Sequence, residues 1–196
     1  MRVTLVRHTA LDIPSHICYG QSEVVVASSF ESEVSALLRK LKETKFDAVY
    51  SSPLQRCYQL ARVLSSTGEL QIISRAIRQD YRLKELHFGD WEMKSWDAIP
   101  RDELDRWSYD YADTSPPNGE TFTQLHARVT EFLKDVSGHH LGGELLVVTH
   151  GGPIRALVAE ILGLPVMKLF RIAIDHGSVT RIEFNDEVPR VLCINA

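Results

Sequence analysis

The sequence predicts a three-layer αβα domain with a mostly parallel central sheet, and three observations carry that prediction. Segments that favour strands alternate with segments whose apolar residues recur at helical spacing. The segment Glu144–Thr149 is almost wholly apolar, which is typical of a parallel strand covered on both faces. The 196 residues hold no repeat, low-complexity tract or linker. We therefore expect a single α/β domain over residues 1–196.

The first half of the chain supplies three of the expected strands and two helices. Short strands are predicted at Arg2–Val6, Phe46–Tyr50 and Gln71–Ile73. Apolar residues at helical spacing predict a helix over 30–41. A second helix is expected to begin at Ser51-Ser52-Pro53, because serine caps helix N-termini and proline fits the first helical position.

The segment at about 75–118 interrupts this alternation. It contains all three tryptophans and many charges but no long amphipathic pattern. Only short helices are predicted within it, at about 95–100 and 102–109, and the run Pro116-Pro117-Asn118-Gly119 ends it. We expect this aromatic-rich excursion from the sheet to roof a site.

The alternation resumes after the excursion. The pattern Thr121-x-x-Gln124 predicts a capping box at the start of a long amphipathic helix that runs to about Ser137. A turn over 138–143 is expected to lead into the strand Glu144–Thr149. This strand is the clearest buried parallel strand of the sequence.

The last part of the chain predicts one more helix and a hairpin. Pro153 is placed to begin the helix, and Gly163 is placed to end it. Strands over 178–184 and 190–194 flank a turn over 185–189, which predicts a hairpin.

Composition excludes several classes of partner. The net charge of −4 and the pI of about 6.1 offer no basic field for nucleic acid or a membrane surface. Three separated cysteines without a CxxC pair argue against a disulfide scaffold and indicate a reducing compartment. No signal-peptide pattern or membrane-spanning run is present. We expect a cytoplasmic monomer or homodimer that acts on a small molecule.

Two of the predicted strands end in histidine. Arg7 and His8 follow the first strand, and His150 follows the strand Glu144–Thr149. The carboxyl ends of parallel strands meet at one rim, where α/β proteins bind ligands. Arg56, in the first turn of the second helix, reaches the same rim. His176, which precedes the last two strands, is the other histidine that we place near it.

This set of side chains predicts a phosphate site. Guanidinium groups bind phosphate oxygens in a bidentate manner and keep their charge. His150-Gly151-Gly152 stands at a helix N-terminus, where backbone N–H groups bind anions and glycine lets a ligand come close. No metal-ligand spacing, HExxH motif or GxxxxGK[ST] loop occurs, so we expect neither a metal nor another cofactor.

A histidine among arginines can serve as a nucleophile toward phosphorus. Positive neighbours favour the neutral imidazole and stabilise charge on the phosphoryl oxygens. We expect His8 to form a phosphohistidine that water then hydrolyses. The leaving alkoxide needs a proton donor, and the candidates from the sequence are Glu85 and Glu120.

Five motifs in one order resemble the histidine phosphatase superfamily, which has the phosphoglycerate-mutase-like fold. They are Leu5-Val6-Arg7-His8-Thr9, Ser51-Ser52-Pro53-Leu54-Gln55-Arg56, Leu86-His87-Phe88-Gly89-Asp90-Trp91-Glu92, Asn118-Gly119-Glu120 and Val148-Thr149-His150-Gly151-Gly152. The resemblance implies that His8 is the nucleophile and that Glu85 is the general acid. It also implies that Arg7, Arg56 and His150 are phosphate ligands, with Gly151 beside them. Glu120 would begin the helix that supports the pocket.

A narrower resemblance points to a substrate. Asp12-Ile13-Pro14 and Ile17-Cys18-Tyr19-Gly20-Gln21-Ser22-Glu23 resemble the α-ribazole phosphatase branch of that family. Glu23 and Met93 depart from the usual text of the branch, where Asp and Gly are commoner. The branch hydrolyses α-ribazole 5′-phosphate to α-ribazole during assembly of the cobalamin nucleotide loop.

The sequence leaves the wall of the pocket and the substrate open. The pocket residues that we expect are Thr9, Tyr19, Gly20, Gln21, Ser22 and Glu120. An aromatic ring between Trp91 and Tyr111 could stack on the benzimidazole of α-ribazole. The alternatives are a broad-specificity small-molecule or sugar-phosphate phosphatase, a phosphoglycerate mutase, and a non-catalytic protein that binds a phosphorylated ligand.

Overall fold

A mixed sheet with helices on both faces organises the protein. The computed structural model describes residues 1–140, 142–185 and 188–196. In chain order the strands are β1 (Arg2–Arg7), β2 (Lys45–Phe46), β3 (Ala48–Ser51), β4 (Gln71–Ile72), β5 (Ile77–Gln79), β6 (Glu144–Thr149), β7 (Val179–Glu183) and β8 (Arg190–Cys193). The α-helices are α1 (Phe30–Leu41), α2 (Gln55–Ser66), α3 (Arg101–Tyr109), α4 (Phe122–His139) and α5 (Gly151–Leu162).

The strand order of the main sheet is β5-β3-β6-β1-β7-β8. Strands β5, β3, β6 and β1 are mutually parallel, whereas β7 runs antiparallel to β1 and β8 antiparallel to β7. Strands β2 and β4 pair with each other in a separate two-stranded sheet. The predicted three-layer, mostly parallel architecture is confirmed.

Successive side chains of the central strands pack alternately into two separate hydrophobic cores. On β1, Leu5 packs with the side chains of α4 and α5, and its neighbour Val6 packs with those of α1 and α2. Val147 and Val148 of β6 divide between the same two cores. Because successive side chains of a strand point to opposite faces, one apolar strand can bind a helical layer on each side.

Four elements differ from the sequence prediction. The stretch 46–50 divides into β2 and β3, and the strand expected at Gln71–Ile73 pairs with β2 outside the main sheet. The edge strand β5 was not predicted, since it has three residues and mostly exposed side chains. Helix α2 begins at Gln55, with Leu54 at the N-cap, rather than at the serines.

Other boundaries agree closely with the prediction. The capping box is present at Thr121 and Gln124, and Gly163 ends α5 in the left-handed conformation. Strands β7 and β8 form the expected hairpin. The predicted turns over 138–143 and 185–189 include residues 141, 186 and 187, which lie outside the described residues. Within the described ranges no helix is long and apolar enough to cross a membrane.

Candidate active site

The pairing of β1 with β6 brings two histidines together. Arg7 pairs with Thr149 in the parallel register, so the next residues, His8 and His150, leave the sheet side by side. Their ring centroids are 5.1 Å apart, and neither residue has exposed surface. The expected convergence of both strand ends at one rim is therefore what the structure has.

The hydrogen bond of His8 defines its tautomer. Nδ1 lies 2.8 Å from the carbonyl oxygen of Thr9, and a carbonyl oxygen only accepts. Nδ1 must therefore carry the proton, and Nε2 carries the lone pair. Nε2 is buried and has no hydrogen-bond partner among the described residues. Burial, followed by the charges of Arg56 and Arg7, holds the pKa of His8 well below its usual value.

Arg7 lies against a third histidine. Its Nη1 donates to the carbonyl oxygen of Ile174 at 2.6 Å, and its Nη2 donates to Nε2 of His176 at 2.9 Å. A guanidinium only donates, so Nε2 of His176 accepts and the ring is neutral. Burial, followed by Arg7, lowers the pKa of His176 to about 4. The His176 ring centroid lies 5.2 Å from that of His8, so His176 is adjacent to the nucleophile candidate.

Three hydrogen bonds fix the side chain of Arg56, which is only 1% exposed. Its Nη2 donates to the carbonyl oxygen of Gly20 at 2.6 Å, and its Nη1 donates to that of Ser22 at 2.8 Å. Its Nε donates to Nδ1 of His150 at 3.3 Å. The loop that follows β1 therefore orients a guanidinium that starts from α2.

Two hydrogen bonds indicate that the ring of His150 is neutral. Its Nδ1 accepts from Arg56, so Nε2 carries the proton and donates to Oγ of Ser52 at 2.8 Å. Burial, followed by Arg56, holds its pKa well below the usual value. Ser52, expected to begin α2, thus orients this ring, and its Oγ also accepts from the backbone N–H of Leu54 at 3.4 Å.

Glu85 meets the first turn of α5. Its Oε1 and Oε2 lie 3.1 and 3.2 Å from the backbone nitrogen of Gly152, and its Oε1 also accepts from the backbone N–H of Leu86 at 2.9 Å. A Cβ on Gly152 would stand 2.2 Å from Oε1, so this contact requires glycine. Glu85 and Arg7 line the same cavity, which brings the acid candidate to the predicted phosphate site.

Glu120, the other acid candidate, is held in an ion pair. Its carboxylate accepts from Nε of Arg128 at 3.1 Å and forms a salt bridge with the Nη2 of the same side chain. Nη2 of Arg128 also donates to the carbonyl oxygen of Glu85 at 2.9 Å. Glu120 does not line the cavity. Its position fits support of the segment that carries Glu85 rather than proton donation.

A cavity of about 240 Å³ opens beside these groups. Two of the predicted pocket residues, Tyr19 and Gly20, line it. Thr9, Gln21, Ser22 and Glu120 are not among the residues that line this cavity, and their contact with a substrate stays a prediction. Thr9 is buried, and Gln21 and Ser22 bond instead to the backbone of Glu85 and to Arg56, respectively.

Aromatic side chains form the apolar wall of this cavity. Within the excursion, Phe88 and Trp96 face the cavity, whereas Trp91, Trp107 and Tyr111 are buried in the core. The other three aromatic wall residues lie outside that segment, at Tyr19, Phe122 and Phe170. The excursion therefore contributes part of the cavity wall, and α4 and the segment after α5 contribute further parts.

Sequence reasoning missed two residues of the site. Glu92 is half-buried and accepts from the backbone N–H of Gln21 at 2.9 Å and from the hydroxyl of Ser22. It thereby holds the loop that orients Arg56. Arg155 lines the cavity from α5. Its position, four residues after the motif glycine Gly151 and so one helical turn further on, is the signal that could have found it.

The described part of the chain holds no group of three or more His, Cys, Asp or Glu side chains placed to bind a metal ion. The three cysteines are free, and burial raises the pKa of Cys18 to about 12. Among the described residues, the charged side chains that line the cavity are Arg7, Glu85 and Arg155.

Comparison with known proteins agrees with this geometry. A family model described as the histidine phosphatase superfamily (branch 1) matches residues 3–196. The adenosylcobalamin/alpha-ribazole phosphatase of Escherichia coli (strain K12) is 27% identical over 202 residues, which cover 100% of this chain and 96% of that protein.

Two solved structures extend the likeness to the fold. The crystal structure of the alpha-ribazole phosphatase from Shigella flexneri matches with a TM-score of 0.88 at 26% identity, over 100% of this chain and 96% of the other. The mycobacterial glucosyl-3-phosphoglycerate phosphatase matches with a TM-score of 0.85 at 25% identity, over 100% of this chain and 98% of the other. The chain belongs to the histidine phosphatase superfamily (branch 1) and has its phosphoglycerate-mutase-like fold.

Proposed function

We propose that the protein hydrolyses α-ribazole 5′-phosphate to α-ribazole through a phosphohistidine on His8. The main support for this reaction is Nε2 of His8, which is buried, carries no proton and lies next to two guanidinium groups. A neutral imidazole nitrogen can attack phosphorus, and the charges of Arg7 and Arg56 stabilise the phosphoryl oxygens as their charge grows.

The first step forms an N–P bond at Nε2 of His8 and breaks the P–O bond to the leaving group. Glu85 gives its proton to the departing alkoxide, so the alcohol leaves neutral. In the second step Glu85 takes a proton from water as the water oxygen attacks phosphorus. The N–P bond then breaks, and inorganic phosphate and neutral His8 are the products.

Arg7 and Arg56 now donate to the carbonyl oxygens of Ile174, Gly20 and Ser22. Phosphate oxygens are stronger acceptors for a guanidinium than neutral carbonyls, because the bond is charge-assisted on both sides. Since His8 has no exposed surface, we expect the arginines and the Tyr19 loop to shift when substrate enters.

The aromatic wall supports the choice of substrate. Phe88, Trp96, Phe122 and Phe170 line the cavity next to Arg7, and a flat benzimidazole can stack on such rings. A cavity of about 240 Å³ suits a small phosphomonoester rather than a phosphoprotein. Relatives and solved structures named as alpha-ribazole phosphatases support the same choice at 26–27% identity.

The test is kcat/KM for α-ribazole 5′-phosphate against a panel of sugar phosphates and p-nitrophenyl phosphate, in EDTA. We expect a preference of about a hundredfold, which is roughly 2.7 kcal/mol of differential transition-state binding. Similar kcat/KM values across the panel would indicate a broad-specificity phosphatase and would contradict the assignment of α-ribazole 5′-phosphate as its substrate. Transfer of phosphate within phosphoglycerates would indicate the mutase, and binding without turnover would indicate a non-catalytic protein.

A pair of variants tests the stacking wall. Trp96→Leu should raise KM for α-ribazole 5′-phosphate about tenfold and leave KM for glycerol phosphate unchanged. Tyr109→Leu is the matched control, because Tyr109 is 87% exposed and belongs to the same excursion. Equal changes on both substrates for Trp96→Leu would contradict stacking.

A further inference from the structure

His176 is held in a fixed position at the rim of the phosphate site, although the proposed mechanism assigns it no role. It precedes Gly177, whose φ of 62° is a backbone conformation that residues other than glycine rarely adopt. The backbone N–H of Gly177 donates to the carbonyl oxygen of His8 at 3.1 Å. On the other side, the backbone N–H of Asp175 donates to Oδ1 of Asn195 at 2.6 Å. Both chain neighbours of His176 are therefore fixed, and one of them is bonded to the nucleophile candidate.

The guanidinium of Arg7 is bound at its two terminal nitrogens but not at Nε. Nη1 donates to the carbonyl oxygen of Ile174 at 2.6 Å, and Nη2 donates to Nε2 of His176 at 2.9 Å. The hydroxyl of Tyr19 lies farther from Nη2, at 3.5 Å. Nε is buried and has no hydrogen-bond partner within the described ranges. A buried N–H without an acceptor is unfavourable, and an anionic ligand would supply one.

The free Nε of Arg7 lies over the start of α5. It is 3.5 Å from the point where a Cβ on Gly151 would stand. Gly151 is the first residue of α5, and the N–H groups at a helix N-terminus favour an anion. The ring of His8 adjoins that of the N-cap residue His150, with centroids 5.1 Å apart. A phosphoryl group between His8 and this helix N-terminus would be the acceptor that Nε lacks.

Only a neutral ring at His176 can hold Arg7 in this way. The lone pair of Nε2 accepts from the guanidinium, and protonation would remove that lone pair and add a positive charge beside Arg7. Partial burial, followed by the charge of Arg7, lowers the pKa of His176 to about 4. Glu33 and Asp175 oppose this effect, and Arg56 reinforces it. His176 is therefore in its acceptor form near pH 7.

We propose that His176 is a positioning residue for the phosphate site. Its neutral Nε2 holds Nη2 of Arg7, and this hydrogen bond keeps the unpartnered Nε of Arg7 directed at the phosphoryl group that His8 attacks. Without it, the contact with Ile174 alone would not fix the plane of the guanidinium. The inference rests on the phosphate site of the proposed function and adds to it a residue that acts through Arg7.

The first test measures the affinity for inorganic phosphate by calorimetry at pH 7. In His176→Leu we expect phosphate to bind about tenfold more weakly, because a hydrogen bond to a charged group is lost. His176→Gln places an amide oxygen near the position of Nε2 and should keep most of the affinity. His139→Leu, at an exposed histidine of α4, should keep all of it. A role in packing alone would not separate glutamine from leucine in this way.

Nitrogen-15 NMR tests the same contact without a ligand. At pH 7 we expect the His176 ring to carry its proton on Nδ1 and none on Nε2. The Nε2 resonance should shift in Arg7→Met, because the guanidinium no longer donates to it. A proton on Nε2 in the parent protein, or equal phosphate affinity in His176→Leu and the parent, would overturn the positioning role.

Neither measurement needs turnover, so the two separate this inference from the proposed function. Phosphate binding that depends on His176, without hydrolysis of any phosphomonoester, would support the positioning role and contradict the proposed phosphatase. Hydrolysis that His176→Leu leaves unchanged would do the reverse. A parent protein that binds no phosphate would contradict both.

Discussion

The carboxylate of Glu85 accepts from the backbone N–H of Gly152, at 3.1 and 3.2 Å, and this contact joins the acid candidate to the helix that follows His150. The two residues are 67 positions apart in the sequence, so the fold alone makes the contact. It places the carboxyl group on the wall of the cavity that Arg7 also lines.

Gly152→Ala should disable the acid without removing it. A Cβ would stand 2.2 Å from Oε1 of Glu85, so the carboxyl group must move. We expect kcat/KM for an alkyl phosphate to fall about a hundredfold, or about 2.7 kcal/mol in transition-state stabilisation. Gly138→Ala is the matched control, because a Cβ there meets nothing within 4 Å. An unchanged kcat/KM for Gly152→Ala would show that Glu85 is not needed in this position.

Glu85→Gln separates proton donation from other roles. The variant keeps the shape of the side chain but cannot supply a proton to the leaving alkoxide. Turnover of alkyl phosphates should fall by a factor of about 10² to 10⁴, and turnover of p-nitrophenyl phosphate should fall much less, because p-nitrophenolate leaves without a proton.

Glu120→Gln is the control for that experiment. Glu120 pairs with Arg128 and does not line the cavity. Its replacement should therefore reduce the turnover of both substrates by the same factor and lower the free energy of unfolding. If Glu120→Gln loses much more activity on alkyl phosphates than on p-nitrophenyl phosphate, and Glu85→Gln does not, then Glu120 is the proton donor.

Glu92→Gln should impair the site through the loop that follows β1. The carboxylate of Glu92 accepts from the backbone of Gln21 and Phe88 and from the hydroxyl of Ser22, and the carbonyl oxygens of this loop hold Arg56. We expect a loss of about 1–3 kcal/mol in the free energy of unfolding, measured in urea, since the amide keeps only one of the two oxygens that accept from these partly buried donors. The value of kcat/KM should fall for all phosphomonoesters alike. Glu69→Gln, at an exposed residue, should change neither quantity.

The buried histidines predict how stability depends on pH. In the unfolded chain His8 and His150 take up protons below about pH 6.5. In the folded protein both pKa values lie well below that, so the unfolded state binds more protons as the pH falls. The free energy of unfolding should be greatest above pH 6.5. Below pH 6.5 it should decrease by up to about 1.4 kcal/mol per pH unit for each histidine.

Urea unfolding between pH 7.5 and 5 measures this slope. Replacing His8 by Asn removes one titrating group, so its slope should be shallower than that of the unsubstituted protein. Equal slopes, or a stability that is flat over this range, would contradict the assignment of neutral buried rings.

The sequence alone predicts that His8 and His150 lie at strand ends, because the pattern that indicates this is local. Polar residues directly after an apolar strand have few reasons to occur, and the parallel pairing of β1 and β6 then brings His8 and His150 together. Helical spacing likewise predicts α1 and α4, whose buried stripes are regular.

The rest depends on contacts between distant segments, which no local pattern contains. Glu92 matters because its carboxylate reaches the loop 70 positions earlier at Ser22, and Phe170 reaches the cavity from the segment after α5. Ser52 fits a helix cap by local rules, yet α2 begins after Leu54, and the hydroxyl of Ser52 bonds to His150 as well as to the backbone of Leu54. In each case a tertiary hydrogen bond or packing contact outweighs the local preference.

The most direct test of the account is the covalent intermediate on His8. The protein is mixed for milliseconds with substrate labelled at phosphorus, quenched in base, where phosphohistidine survives, and digested for mass spectrometry. We predict one phosphoryl group on the peptide that carries His8, absent in His8→Ala and accumulating in a variant with slowed hydrolysis of the intermediate. Turnover with no label on His8, or activity that persists in His8→Ala, would contradict the central claim.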